Sequence, residues 1–257
     1  MAEHVRQPAV FVRELLILLE LYADRTHRPG QSGTPHSLLD SFNTPAPVLK
    51  RLLLELRTTV GDDSQVVLPL CDALWQQPNL ECRTLAASLL GQHQLPEEAI
   101  IQRLQDWLSS SSEVAARNME DRILDSLLDN GLAPVRRDNP NAVLALAKSL
   151  LEQKQILAQQ AGLRALKYLA ADPTFDNLPG IYRLIAPLLR ILPMEMRPEV
   201  VDVLTELIQR APAEVAFVLK QSLIASENPD TPWLVRRVMD CFPEEIRPGL
   251  RSALAQK

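Results

Sequence analysis

Asp125, in the segment DRILDSLLDNG, is an acid at a position where the sequence pattern favours an apolar residue, which makes it a candidate for a chemical role. The residues 38 positions before it, 38 after it and 76 after it are all apolar, namely Ala87, Leu163 and Val201. An unpaired carboxylate is expensive to bury. Asp125 is therefore either a structural acid that pairs with Arg122 or caps a neighbouring helix, or a functional acid that faces a groove. The sequence leaves both alternatives open.

Basic residues and one tryptophan are the other candidates for function. Five residues are candidates for binding: Arg164, Lys167, Trp233, Arg236 and Arg237. Such basic clusters either contact phosphate groups or form a solvated helix face. Trp233 follows a proline at a predicted helix start and is expected to be partly exposed. Trp75 and Trp107 lie at the ends of apolar helix faces and are predicted to be packing residues.

Familiar catalytic and cofactor motifs are absent from the sequence. There is no GxGxxG, GxxxxGK[ST] or GxSxG pattern, the four histidines are scattered, and the three cysteines include no CxxC pair. We therefore expect no cofactor, no metal and reduced thiols. The apolar stretch 9–21 is interrupted by charged residues, so it is neither a signal peptide nor a membrane span. The expected location is the cytoplasm.

Helices in repeated pairs must position these residues. Leucines recur every 38 residues in two columns, one for each helix of a pair. One column contains Leu52, Leu90, Leu128, Leu166 and Leu204, and the other contains Leu70, Leu108, Leu146 and Leu184. A period of this length with two amphipathic helices is typical of HEAT-like repeats. The sequence predicts an all-α fold, an α-α superhelix of about five to six such repeats.

The predicted domain organisation is a single α-solenoid over residues 1–257. Residues 45–257 form the repeats, and residues 1–44 form an irregular amino-terminal cap. Within the cap, residues 25–37 are rich in Gly, Pro and Ser and are predicted to be a flexible loop.

Two segments resemble the bacterial alkylpurine DNA glycosylases that are built from HEAT-like repeats. LWQQPNLECRTLAASLLG at 74–91 resembles that family's Leu-Trp…Glu…Arg…Ala…Leu-Leu hairpin, and LDSLL at 124–128 resembles its Val-Asp-Ser segment. The resemblance extends loosely over 45–255. It implies DNA held in a basic concave groove, with aromatic side chains and an arginine around the lesion. It also implies that Asp125 occupies the position of the catalytic aspartate, which stabilises the sugar cation as the base departs.

The sequence also departs from that family. Asp121 stands where the family has tryptophan, Gln159 and Gln160 stand where it has paired arginines, and Pro229 replaces a lysine ahead of WLVR. Acidic and basic residues balance along the second helices of the predicted repeats, and the whole chain has a net charge of −5. A groove that follows DNA needs an excess of Lys and Arg, because counterion release supplies much of the affinity.

Two hypotheses follow from these features. The first is a non-catalytic HEAT-like scaffold that binds a protein or peptide partner in its concave groove. The alternative is a diverged DNA alkylation repair protein that binds damaged DNA. The balanced charge favours the scaffold, and the placing of Asp125 favours the alternative.

Overall fold

The fold is all-α, as the sequence predicts. The computed structural model describes residues 4–24, 40–109, 121–225 and 230–256. In these ranges every regular element is a helix, apart from one isolated β-bridge between Asp40 and Asn79. None of these helices is long and apolar enough to cross a membrane. The predicted flexible loop at 25–37 and Pro229 lie outside the described residues.

Two compact units divide the chain, Met1–Asp138 and Asn139–Lys257. The helices of the first unit are α1 (Pro8–Leu21), α2 (Ala46–Val60), α3 (Ser64–Trp75), α4 (Leu80–Gln92), α5 (Glu97–Ser109), α6 (Asp121–Asp125) and α7 (Ala133–Asp138), with a π-helical segment at Ser126–Gly131, here named the π turn, between the last two. The helices of the second unit are α8 (Pro140–Leu151), α9 (Ile156–Ala171), α10 (Leu178–Arg190), α11 (Arg197–Arg210), α12 (Pro212–Ala225), α13 (Asp230–Val238) and α14 (Arg247–Ala255), with 3-10 turns at Met194–Met196 and Met239–Cys241.

In the first unit, the second helix of each pair packs on the second helix of the next. Helix α4 packs against α2 on one side and against α6 and the π turn on the other. The first helices are joined through their side chains: the rings of Trp75 and Trp107 stack with centroids 4.5 Å apart, and the Trp107 indole N–H donates to Asp72 Oδ1 at 3.0 Å. Both tryptophans are buried, which confirms that they are packing residues.

The second unit has the same arrangement with more regular helices. First helices α8, α10 and α12 contact one another in order, and second helices α9, α11 and α13 do the same. Local sequence sets the helix starts, since Asn139 and Asn177 accept hydrogen bonds from backbone N–H groups of α8 and α10 and a proline follows each of them in the first turn. Arg210 donates to carbonyl oxygens of Ala170, Asp172, Pro173 and Phe175 and so holds the end of α9.

The leucine columns form the cores of these helix pairs. Each of their members is buried except Leu184, which is half-buried. Because neither helix of a pair can bury its apolar face alone, this burial explains why pairs of such helices stack within each unit. The superhelical path and the single solenoid over residues 1–257 stay predictions.

Candidate functional site

Asp125 is the last residue of α6 and the residue from which the π turn begins. Its side chain is half-buried, whereas Ile123, Leu124 and Leu127 around it are fully buried. Its own backbone is helical, with φ −62° and ψ −45°, so it enters the turn without strain. The carboxyl group therefore lies at the edge of an apolar core and remains partly accessible to solvent.

The end of the π turn has a local cause in the sequence. The Leu132 N–H bonds to the Leu127 carbonyl at 3.2 Å, five residues back, instead of four as in an α-helix. The same pattern would require residue 134 to donate to the Asp129 carbonyl, but Pro134 has no N–H. The guanidinium of Arg136 supplies hydrogen-bond donors to the carbonyls of the turn instead. Its Nη1 donates to the Leu128 carbonyl at 3.1 Å and its Nη2 to the Asp129 carbonyl at 3.3 Å.

A glycine allows the π turn to lie directly on α4. A Cβ atom built on Gly91 would stand 1.8 Å from the Asn130 carbonyl oxygen and 2.6 Å from its carbon. Glycine inside a helix costs roughly 0.5–1 kcal/mol relative to alanine. The contact between two backbones explains why glycine stands here. At Gly131 an added Cβ would meet only ordinary contacts, at 3.4 Å from the Ala87 carbonyl oxygen and Leu127 Cδ1.

Two other acids lie one helical turn on either side of Asp125. Asp121, which replaces the tryptophan of the resembling family, is exposed. Asp129 is also exposed and forms an ion pair with Arg136, with Oδ1 at 3.2 Å from Nη2. Among the described residues, no group of three or more His, Cys, Asp or Glu side chains is arranged to hold a metal ion.

The two buried cysteines, Cys71 and Cys82, are poor nucleophiles. Burial, with a smaller contribution from Glu81, raises the pKa of the Cys82 thiol to about 12. Burial likewise raises the pKa of Cys71 far above its usual range. Both side chains are therefore packed, protonated thiols, while Cys241 is exposed.

In the second unit, the predicted binding residues of α9 form ion pairs with α11. Arg164 Nη2 lies 3.2 Å from Glu199 Oε1, and the two side chains are only 13% and 5% exposed. Lys167 Nζ lies 2.9 Å from Asp202 Oδ2 in a more open pair, with exposures of 30% and 53%. Both pairs join residues 35 positions apart and link the second helices of successive repeats, three residues short of the 38-residue repeat equivalent.

Trp233, at the start of α13, is 36% exposed, as expected. Its ring lies under the guanidinium of Arg197, whose Cζ is 4.8 Å from the ring centroid. Arg197 also pairs with Asp230 at 2.6 Å, which links α11 to α13. Arg236 and Arg237, in contrast, are exposed. Neither forms an ion pair with an acid among the described residues.

The two glutamines that stand for the family's arginines take part in local structure. Gln159 Nε2 donates to the Gln153 carbonyl at 2.8 Å, at the start of α9. Gln160 Nε2 donates to the Glu195 carbonyl at 2.8 Å and so ties α9 to the turn before α11. Both amides satisfy backbone carbonyls of their own unit.

Sequence reasoning missed the structural roles of four residues that shape these surfaces: Gly91, Arg136, Arg197 and Glu199. Two signals could have found some of them. Glu199 stands 35 residues after Arg164, about one helical turn before the repeat equivalent at 202, and Pro134 predicts a helix break whose carbonyls need another donor. The contact of Gly91 with Asn130 joins elements that are distant in sequence and leaves no local signal.

Comparison with known proteins gives one finding. A family model described as DNA alkylation repair enzyme matches residues 19–218. The matched stretch includes Asp125 and Arg164 and ends before Trp233. No curated protein and no solved structure matches the chain significantly.

Proposed function

This chain belongs to the DNA alkylation repair enzyme family, and from this premise we propose that it binds alkylated DNA and releases the damaged base, with Asp125 as the acid of the site. The family match supports this function over the scaffold that the charge pattern favours. Base release, among the possible repair reactions, is taken from the resemblance of the segments at 74–91 and 124–128 to the alkylpurine glycosylases.

The placing of Asp125 is the observation that carries the proposal. Its repeat equivalents are apolar, yet its carboxyl group is held at a break in the helix, half-exposed above buried leucines. When a glycosidic bond breaks, positive charge develops on the sugar. A carboxylate fixed beside that charge stabilises the transition state more than the ground state. Because the carboxylate is held by the fold beforehand, little reorganisation is needed at the moment of reaction.

Release of methylated bases from duplex DNA treated with a methylating agent tests this function. We expect Asp125→Asn, which keeps the shape and removes the charge, to lower the rate of release about 100-fold or more. The matched control is Asp106→Asn. Asp106 is an exposed acid of α5 that accepts a hydrogen bond from Gln102, and its replacement should leave the rate unchanged. A folded wild-type protein that releases no base would refute the proposal.

The ion pairs of the second unit favour a second candidate, the scaffold for a protein or peptide partner. Arg164, Lys167 and Arg197 are each paired with an acid on the second helix of the following pair. This pairing leaves fewer cations available to contact phosphate. If the wild-type protein neither releases bases nor binds duplex DNA at physiological salt, this second function is the one supported.

A further inference from the structure

Arg136 is the residue outside the proposed chemistry that most directly controls the segment bearing Asp125. Its guanidinium bonds two carbonyls of the π turn and the Asp129 carboxylate. Its side chain is only 17% exposed, although it carries a full charge. A largely buried arginine that donates hydrogen bonds to the carbonyls of one turn fixes the path of that turn.

The π turn is also fixed by its contact with α4. The contact of Gly91 with Asn130 leaves no space for even one methyl group, and the turn packs along α4 over its length. Within the turn, Asn130 Nδ2 lies 3.3 Å from Ser126 Oγ, so a side-chain bond spans the first and fifth residues. The turn is therefore held by a close backbone contact and by a guanidinium.

Asp125 follows any movement of this turn, because it is the residue that caps it. Had the chain continued as an α-helix from Asp121, the residues after 125 would rotate relative to their present directions, since a π turn contains one extra residue per hydrogen-bonded ring. Burial of Leu127 and Leu128 shows that the core accepts the turn as it is. The geometry that supports the turn thus also sets where the Asp125 carboxyl group lies.

We propose that Arg136, acting with Gly91 through the π turn, is a positioning residue for Asp125. This inference rests on the proposed function for its catalytic consequence. Arg136 does not need to touch the substrate. It acts by keeping the turn in one conformation, and displacement of a catalytic group by about 1 Å lowers a rate as much as 100-fold.

Variants at both anchors and at two control positions test the proposal. Arg136→Gln removes the guanidinium fork, and Arg136→Lys keeps the charge with a single amino group. Gly91→Ala disturbs the turn at its contact with α4 without changing any charge. The controls are Arg137→Gln, at the neighbouring arginine whose side chain is 74% exposed, and Gly131→Ala, where the added Cβ meets only ordinary contacts.

The kinetic readout separates positioning from simple stability. Below the melting temperature of every variant, we expect Arg136→Gln and Gly91→Ala to lower kcat about tenfold or more with KM changed less than about twofold. Arg136→Lys should fall between wild type and Arg136→Gln, and both controls should match wild type. A folded Arg136→Gln protein with the kcat of wild type overturns the proposal.

A readout without DNA keeps the two proposals distinguishable. In 13C-labelled protein at one fixed pH, the Asp125 carboxyl resonance is identified by its loss in Asp125→Asn. It should shift in both Arg136→Gln and Gly91→Ala and remain in place in the two controls. If wild type releases no base, the proposed function fails, while these shifts still support positioning. An unchanged Asp125 resonance in both variants overturns positioning whether or not the protein is active.

Discussion

Asp125 of the first unit and Lys167 of the second both lie on second helices, but the helices around them are built differently. Helix α9 is a regular α-helix of 16 residues, and its cations pair with acids of α11. Helix α6, described from Asp121, gives way to a π turn immediately after Asp125. The second helix therefore keeps its α-helical geometry around Lys167 and loses it directly after Asp125.

The difference between the regions separates structural from functional charge. In the second unit each pair joins one second helix to the next, as expected where charge stabilises the stacking of repeats. In the first unit an acid replaces apolar residues at a place where the helix geometry also changes. Departures from local rules are common at functional sites, and π turns in particular are frequent there. The α6 region is therefore the stronger candidate for the functional site.

The largest effect expected in the second unit comes from its most buried pair. Glu199→Gln leaves Arg164 largely buried without its carboxylate partner, and we expect the free energy of unfolding to fall by about 3–5 kcal/mol. The matched change is Asp202→Asn in the open pair with Lys167, where the expected loss is below about 1 kcal/mol. Urea denaturation of both variants measures the two values. Equal losses would show that burial does not distinguish these pairs.

The all-α fold and most of its core could be predicted from sequence because they depend on periodicity. Leu128 and Leu166 were placed in the core by a spacing of 38 residues, and both are buried. The exposure of Trp233 also followed from its place at a helix start. These are properties of hydrophobic patterns, which a single sequence displays.

The surroundings of the candidate residues could not be predicted in the same way. Whether Arg164 faces DNA or Glu199 depends on the register of one helix against the next, which composition does not reveal. The charge balance along the second helices did contain part of this information, because each cation has an acid about one repeat away. The π turn depends on Gly91, and its contact with Asn130 exists only after α4 and the turn have packed.

Core leucines provide the next prediction and compare the two regions directly. Leu166→Ala in the regular helix α9 and Leu128→Ala in the π turn should each lower the free energy of unfolding by about 2–5 kcal/mol, because both side chains are buried. Leu54→Ala is the control, since Leu54 is 53% exposed and its replacement should cost about 1 kcal/mol or less. Urea melts in which Leu128→Ala resembles Leu54→Ala would show that the π turn is not part of the core.

The smallest expected effects concern the salt dependence of DNA binding, where paired and unpaired cations of the second unit should differ. A cation that contacts phosphate releases counterions and adds about 0.9 to the slope of log K against log salt. The exposed Arg236 and Arg237 have this capacity, whereas Lys167 is already close to Asp202. We therefore expect Arg236→Gln with Arg237→Gln to lower the slope by about 1–2, and Lys167→Gln by less than about 0.5.

Asp202→Asn sharpens that last comparison because it removes the acid beside Lys167 without touching a cation. If the ion pair is what keeps Lys167 from phosphate, this variant should bind duplex DNA more tightly and with a steeper slope than wild type, and the further change Lys167→Gln should cancel the gain. Titrations of one labelled duplex at several salt concentrations measure all five proteins, including the wild type. A slope that falls as far in Lys167→Gln as in the double arginine variant would mean that the pair opens on DNA, and that the charge of the second unit serves binding as well as stacking.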